Sequence, residues 1–227
     1  MLGRPRLHLR TTTSTNDRAR ALAIAGAPHG TLVTATEQTA GRGRQGRTWT
    51  AAAGDALLMS LVLRDPPALL PLAAAVAVAD AVTGTSGPEA RIKWPNDVLL
   101  GGGKVAGILA EGRPQEGWTV LGIGLNVAGG AARLPERAAT LGRGPGDVEP
   151  VLAAVLAALE DVLALDELEV LERFRARDAL AGREVSWLGG HGRAVGVDDA
   201  GRLVVEQAGG ERTALEAGEI HLTDLAE

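Results

Sequence analysis

The stretch that most constrains this chain is Gly41-Arg42-Gly43-Arg44-Gln45-Gly46-Arg47-Thr48-Trp49, because of what flanks it. Its spacing, Gly41-x-Gly43-x-x-Gly46, matches a dinucleotide-binding turn, but that turn must run directly into a helix. Here Arg47-Thr48-Trp49-Thr50 and Gly54-Asp55 follow instead, and β-prone runs stand on either side, at 32–36 and 56–63. The segment is predicted to be a loop joining two strands, which argues against a Rossmann site. Glycines strip side-chain bulk from around three arginines, so the loop is a candidate anion site. Two other readings stay open at this point, a plain surface loop and an arginine-glycine RNA-binding segment. The second is opposed by a single copy in an acidic, aromatic-poor chain.

The second signal is a scarcity. Of 23 basic residues only Lys93 and Lys104 are lysines. A compact, rotatable ammonium differs from a flat guanidinium fork, and both lysines are therefore site candidates. Lys104 closes Gly101-Gly102-Gly103-Lys104, yet it is not a phosphate-loop lysine: Val98 stands where a glycine is required and Val105 where Ser or Thr is required. The net charge of −5 argues against bulk electrostatic binding to nucleic acid but leaves a local anion site possible. With no cysteine, disulfides and thiolate metal sites are excluded, and His8, His29, His191 and His221 are too scattered to suggest a metal cluster. The start lacks the apolar core of a signal peptide. The longest apolar run, at 69–82, is cut by Pro71 and Asp80 and falls short of a membrane span. The expectation is a soluble, cytoplasmic protein without a membrane partner.

Along the chain, Ser14-Thr15-Asn16-Asp17 offers capping side chains to a short alanine- and leucine-rich helix stopped by Gly26 and Pro28. A helix is predicted over 71–82 with Pro71 in its first turn, followed by strands at 91–94, 104–111 and 118–127. Pro95-Asn96-Asp97 and the triple glycine read as turn chemistry between the first two of these strands. Residues 128–147, with weak periodicity, read as a mobile surface segment. Helix is predicted over 148–165 and 168–176. Beyond about 180 five short strand candidates, at 183–187, 193–197, 202–206, 212–215 and 219–222, have the spacing of a small β-barrel, which places a boundary near 179.

Five pieces, in order, resemble the bacterial biotin protein ligases: Ser14-Thr15-Asn16; Glu37-Gln38-Thr39-Ala40 running into the arginine-glycine loop; Lys93-Trp94-Pro95-Asn96-Asp97; Gly103-Lys104-Val105-Ala106-Gly107-Ile108-Leu109; and Gly122-Ile123-Gly124-Leu125-Asn126-Val127. The resemblance implies an α+β fold, with a mixed, largely antiparallel sheet and flanking helices over 1–178 and a small SH3-like β-barrel over 179–227. It also implies a two-step reaction: ATP activates biotin to biotinyl-5′-AMP, and the biotinyl group passes to a lysine of a biotin carboxyl carrier protein domain. Some members carry a DNA-binding domain ahead of the Ser-Thr-Asn motif. Thirteen residues cannot form one, so no specific DNA binding is expected here.

By position in the family pattern, Ser14, Thr15, Asn16 and Gln38 recognise biotin, with Arg42, Gly43 and Arg44 closing over it. Arg44 and Lys104 are the catalytic candidates, neutralising carboxylate and α-phosphate. Arg42, Arg47, Trp49, Lys93, Asn96, Asp97 and Asn126 complete the ATP site, with Asp97 contacting Mg²⁺. A carboxylate brought to about 3.5 Å from a phosphate charge costs roughly 5 kcal/mol at an effective dielectric near 20, so the cations have repulsion to offset. On the residues alone, Ser14 to Asn16 also read as simple helix capping, Gln38 as loop filler, and Trp49 and Trp94 as core or pocket-wall aromatics. A lipoate or octanoate ligase or transferase remains the nearer alternative and a non-enzymatic nucleic-acid-binding protein the farther one.

Overall fold

The computed structural model describes residues 1–129, 134–216, 218 and 220–222. Seven strands form one sheet: β1 (Arg6–Thr12), β2 (Leu32–Gln38), β3 (Ala56–Arg64), β4 (Arg91–Lys93), β5 (Asp97–Leu100), β6 (Gly103–Arg113) and β7 (Trp118–Asn126). Their spatial order is β1-β2-β3-β7-β6-β5-β4. Only β1 and β2 run parallel, joined through helix α1 (Thr15–Ile24); the other pairings are antiparallel.

The period of two along the central strands divides the sheet between core and site. Leu57, Met59, Leu61 and Leu63 of β3, Ala106 and Ile108 of β6, and Leu121, Ile123 and Leu125 of β7 join the main core. Helix α2 (Leu70–Ser86) packs there, apolar over most of its surface with Pro71 in its first turn, together with α3 (Val148–Leu163) and α4 (Glu167–Ala176). The opposite face is covered by α1, whose Ala19 and Ala23 pack on Val33, Val62 and Val120. α3 and α4 are separate helices, because Asp166 starts a new one: its carboxylate accepts from Glu169 N–H, and the Glu169 side chain accepts from Asp166 N–H.

Strands β8 (Glu184–Trp187), β9 (Gly190–Val197), β10 (Leu203–Glu206), β11 (Arg212–Leu215) and β12 (His221–Leu222) form an antiparallel sheet ordered β11-β10-β9-β8-β12. Among the described residues no pairing of β11 with β12 closes it. Glu219, predicted as the start of the last strand, lies outside the described residues. This sheet is joined tightly to the first. Ile92 N–H donates to Arg177 carbonyl and Ala179 N–H to Ile92 carbonyl, both at 2.8 Å. The buried Trp94 indole donates to the Gly201 carbonyl at 3.0 Å. Gly201, at φ +76°, fits against Leu69, where a Cβ would come within 2.8 Å of a methyl group.

Two strands went unpredicted. β1 is a polar edge strand, exposed along most of its length. β5 begins at Asp97, so the Asn96-Asp97 pair read as turn chemistry leads into a ladder with β4 and β6. The 128–147 segment differs from the mobile surface expected of it. Its residues 130–133 lie outside the described set, but Lys104 N–H donates to Arg137 carbonyl, Ala139 N–H to Lys104 carbonyl and Leu141 N–H to Asn126 carbonyl, which pins 137–141 along β6 and β7.

Candidate active site

The site is built on the face that α1 leaves open. Because Leu121, Ile123 and Leu125 point into the core, Gly122 and Gly124 face the other way, beside Gly107 of β6. This glycine strip is a floor that only hydrogen can line. A Cβ on Gly122 would overlap Asn16 Oδ1, and one on Gly124 would stand 2.5 Å from the Trp49 ring. Over the strip lies a small pocket of about 300 Å³ bounded by Ser14, Thr15, Asn16, Gln38, Trp49 and Leu109.

Its polar groups hold one another. Ser14 is the N-cap of α1 by backbone geometry, but its side chain makes no capping bond, contrary to the simple capping reading. Thr15 donates from both its N–H (2.7 Å) and its hydroxyl (3.0 Å) to Gln38 Oε1. Ser60, on β3, lies 2.6 Å from Asn16 Oδ1 and 2.8 Å from the Thr15 hydroxyl. Asn16 Nδ2 donates to Glu111 at 2.9 Å. The result is a fixed set of neutral donors and acceptors in a buried setting, suited to a neutral polar ligand.

A larger cleft of about 750 Å³ adjoins the pocket and shares Arg42, Trp49, Gly107 and Leu109 with it. Its walls carry Arg44, Arg47, Lys93 and Lys104 against one lining acid among the described residues, Asp97. Strand register explains the grouping: Lys93 pairs with Asp97 across β4 and β5, and β6 brings Lys104 alongside, 2.6 Å from Asp97. Arg44 reaches Asn96 at 3.2 Å, while Asn96 is itself fixed by donating to the Ile108 carbonyl. Burial lowers the Lys93 pKa, an effect opposed by Asp97 and reinforced by Lys104, Arg47 and Arg137; burial likewise lowers Arg44, with Asp97 opposing. Cations crowded to this degree make a receptor for a polyanion. Trp49 stands between pocket and cleft with its indole N–H buried and unpaired and Lys104 Nζ 5.8 Å from its ring centre.

The predicted residues mostly converge here. Ser14, Thr15, Asn16 and Gln38 line the pocket; Gly43, Arg44, Arg47, Lys93, Asn96, Asp97 and Lys104 line the cleft; Trp49 and Arg42 border both. Two depart from expectation. Arg42 is engaged elsewhere, with Nη1 on Asp17 and Nη2 on Glu111, both at 2.7 Å. Asn126 lines neither space: it donates to the Ala139 carbonyl and borders a neighbouring cavity with Asp55 and Leu134. Ser60, Asp17 and Glu111 were missed. Ser60 alone left a trace in the sequence, as the one polar residue inside the apolar run 56–63.

Glu111 is the hub that ties pocket to loop, since it accepts from Asn16 and Arg42 and forms an ion pair with Arg20 at 3.2 Å. Glu111→Gln keeps the shape and removes the charge. Hydrogen exchange at residues 41–49 is expected to accelerate by about tenfold, the scale of losing a charged hydrogen bond. Exchange identical to the parent protein would show that Arg42 does not latch the loop.

A model described as the biotin/lipoate A/B protein ligase family matches residues 8–127, and one described as the biotin protein ligase C terminal domain matches residues 182–222. The chain belongs to the biotin/lipoate A/B protein ligase family. The biotin–[acetyl-CoA-carboxylase] ligase of Mycobacterium tuberculosis is 36% identical to it over 230 residues, spanning 92% of this chain and 85% of that protein. The bifunctional ligase/repressor BirA of Bacillus subtilis is 32% identical over 229 residues, spanning 91% and 70%. A biotin protein ligase from Aquifex aeolicus, solved in complex with biotin and ATP, has a TM-score of 0.82 at 30% identity and covers 96% of this chain and 98% of its own. Among the described residues no helix is long and apolar enough to cross a membrane, and no group of three or more metal-ligating side chains occurs.

Proposed function

We propose that the chain condenses biotin with ATP to biotinyl-5′-AMP and pyrophosphate, then transfers the biotinyl group to a lysine of a biotin carboxyl carrier protein domain in a biotin-dependent carboxylase. The observation that carries this reading is the junction: a neutral polar pocket opens into a cationic cleft, with Trp49 at the seam and Lys104, on the cleft side, 5.8 Å from its ring. Biotin is a neutral bicycle at one end and a carboxylate at the other. Thr15, Asn16 and Gln38, fixed by their mutual bonds and backed by Ser14, receive the ureido group. The glycine strip admits the rings. The valeryl carboxylate then reaches Lys104.

At the seam Lys104 and Arg44 offset the repulsion between carboxylate and α-phosphate, and Lys93 and Arg47 draw the remaining phosphates into the cleft. Attack by a carboxylate oxygen on the α-phosphorus breaks the bond to the pyrophosphate bridge and needs no proton transfer. Asp97, an acid lining the cleft, suits Mg²⁺, which takes one or two carboxylates and fills its other positions with water and phosphate oxygens. Bound there, Mg²⁺ would screen the triphosphate charge. Arg42 serves as the latch of the biotin side, and Asn126 faces the nucleotide from the neighbouring cavity. The second step asks for proximity and an unprotonated acceptor amine, because the mixed anhydride already carries the activation.

We place the domain division at 178/179, a reading supported by the separate match at 182–222, and assign 179–227 as an SH3-like barrel. An acidic chain that uses ATP is assigned to the cytoplasm, without a sequence-specific DNA contact. A lipoate ligase is disfavoured because the dithiolane of lipoate offers no partners for the pocket's polar set, and unpaired buried groups reject a ligand strongly. Incubation with labelled ATP, Mg²⁺ and either acid is expected to release pyrophosphate with biotin alone. Equal turnover with lipoate would overturn the substrate assignment.

A further inference from the structure

Ser60 is fully buried inside the apolar strand β3, yet it lines neither the small pocket nor the main cleft. The alternation that sends Met59 and Leu61 into the core turns Ser60 to the opposite face, beside Val62 and across from Gly122 of β7. The first turn of α1 sits over it. Ser60 Oγ stands 2.6 Å from Asn16 Oδ1 and 2.8 Å from Thr15 Oγ1, so a hydroxyl that would be costly to bury alone meets two polar partners.

The hydrogens along this row of groups are fixed almost everywhere. Asn16 Nδ2 donates to Glu111, whose carboxylate only accepts, so the oxygen of the Asn16 amide is the atom that faces Ser60. The Ser60 hydrogen goes to that oxygen, along the shorter of its two contacts. Ser60 Oγ is then an acceptor on its Thr15 side. The Thr15 hydroxyl has two places for its one hydrogen, Gln38 Oε1 at 3.0 Å and Ser60 Oγ at 2.8 Å, while the Thr15 backbone N–H holds Gln38 Oε1 at 2.7 Å in either case. The contacts Thr15–Gln38, Ser60–Thr15 and Ser60–Asn16 therefore share two hydroxyl hydrogens among three oxygen pairs. One more hydrogen completes the set.

We propose that Ser60 is a positioning residue that converts Thr15 from donor to acceptor: when a ligand N–H arrives, the Thr15 hydroxyl swings from Gln38 to Ser60, and Thr15 Oγ1 and Gln38 Oε1, 3.0 Å apart, receive the incoming hydrogen together. The pocket then selects a ligand that presents an N–H at this point. The proposal rests on reading the pocket as the ureido site, since each ureido nitrogen of biotin carries one hydrogen. In the filled state the donors all run one way, from ligand to Thr15, from Thr15 to Ser60, from Ser60 to the Asn16 oxygen, and from the Asn16 amide nitrogen to the Glu111 carboxylate. Bonds aligned in this sense polarise one another, and a charged last acceptor strengthens the row. Glu111 thus acts on the ligand through Asn16, Ser60 and Thr15 without lining the pocket itself.

Ser60→Ala removes the acceptor to which the Thr15 hydroxyl turns. The KM for biotin in adenylation is expected to rise by about tenfold, the scale of one hydrogen bond lost from a buried network, with kcat and the KM for ATP at the parent values. Selectivity supplies the readout that a loss of packing would not move. Two biotin analogues, each with one ureido N–H replaced by a ring oxygen, are compared with biotin itself. The parent protein is expected to reject one of them by about 10² or more, because it leaves the buried oxygens a hydrogen short. Ser60→Ala should shrink that rejection by about tenfold, while the ratio of the other analogue to biotin stays as in the parent. Ser60→Cys, with a weaker donor and acceptor in nearly the same volume, should fall between the two, and it carries the same comparison if the alanine variant proves unstable. A parent-like biotin KM in these variants, or equal losses with biotin and both analogues, would overturn the role of Ser60 while leaving the ligase reading standing. A parent protein that does not adenylate biotin would sink that reading instead.

Discussion

Lys104→Ala is expected to lower biotin-dependent pyrophosphate release by about 10² to 10³, the usual loss when one preorganised donor to crowded charge is removed. The thermal midpoint should barely move. The Lys104 side chain is 37% exposed and pairs with Asp97, so little packing is lost with it. Arginine should not restore the rate. Gly107 leaves only a narrow passage, since a Cβ there would lie 3.2 Å from both Lys104 Cε and Nζ, and a guanidinium is wider than the ammonium it would replace. Single-turnover adenylation decides the matter: a near-parent rate in Lys104→Ala would remove this lysine from the mechanism.

Gly122→Ala should be as damaging by another route. The added methyl group falls on Asn16, whose amide cannot retreat without breaking its contacts with Ser60 and Glu111. Ser60 is also the register partner of Gly122 across β3 and β7, so the strand cannot shift without disturbing it. Overpacking of this kind costs roughly 1–3 kcal/mol. Displacing Asn16 also leaves the pocket's polar groups mispaired, and biotin affinity should fall by about 10² or more. Gly84→Ala in α2 is the matched control: its new Cβ meets nothing within 4 Å, and helix propensity favours alanine by up to about 1 kcal/mol. Titration calorimetry showing parent-like biotin binding in Gly122→Ala would contradict the role given to the glycine strip.

What could be read in the sequence, and what could not, follows from where each signal resides. The loop at 41–49, the helices α2 and α3 and the central strands announced themselves through flanking turn residues and apolar runs. β1 did not, since an edge strand exposed along most of its length keeps no hydrophobic alternation. β5 was concealed because Asn96 and Asp97, good turn residues, lead straight into a four-residue strand. In the site, Arg44, Lys93, Lys104 and Asp97 were legible as scarce or clustered charges. Asp17, Ser60 and Glu111 are ordinary residues whose places beside the site arise from neighbours far away in the chain; Asn16 and Glu111, for example, stand 95 positions apart. Arg42 was legible as a site residue, but its partners, Asp17 and Glu111, were not.

The confinement of both lysines to the cleft has a consequence for chemical self-protection. A biotinyl adenylate acylates unprotonated amines, and a surface studded with lysine would offer its maker many places to be labelled. This chain carries its surface cations as guanidinium groups, which stay protonated at any physiological pH and are poor acceptors. Lys104 is held against Asp97 at 2.6 Å. With no lysine outside the cleft, the protein's outer surface offers the acyl group no lysine amine, and the amine that the carrier brings meets less competition there.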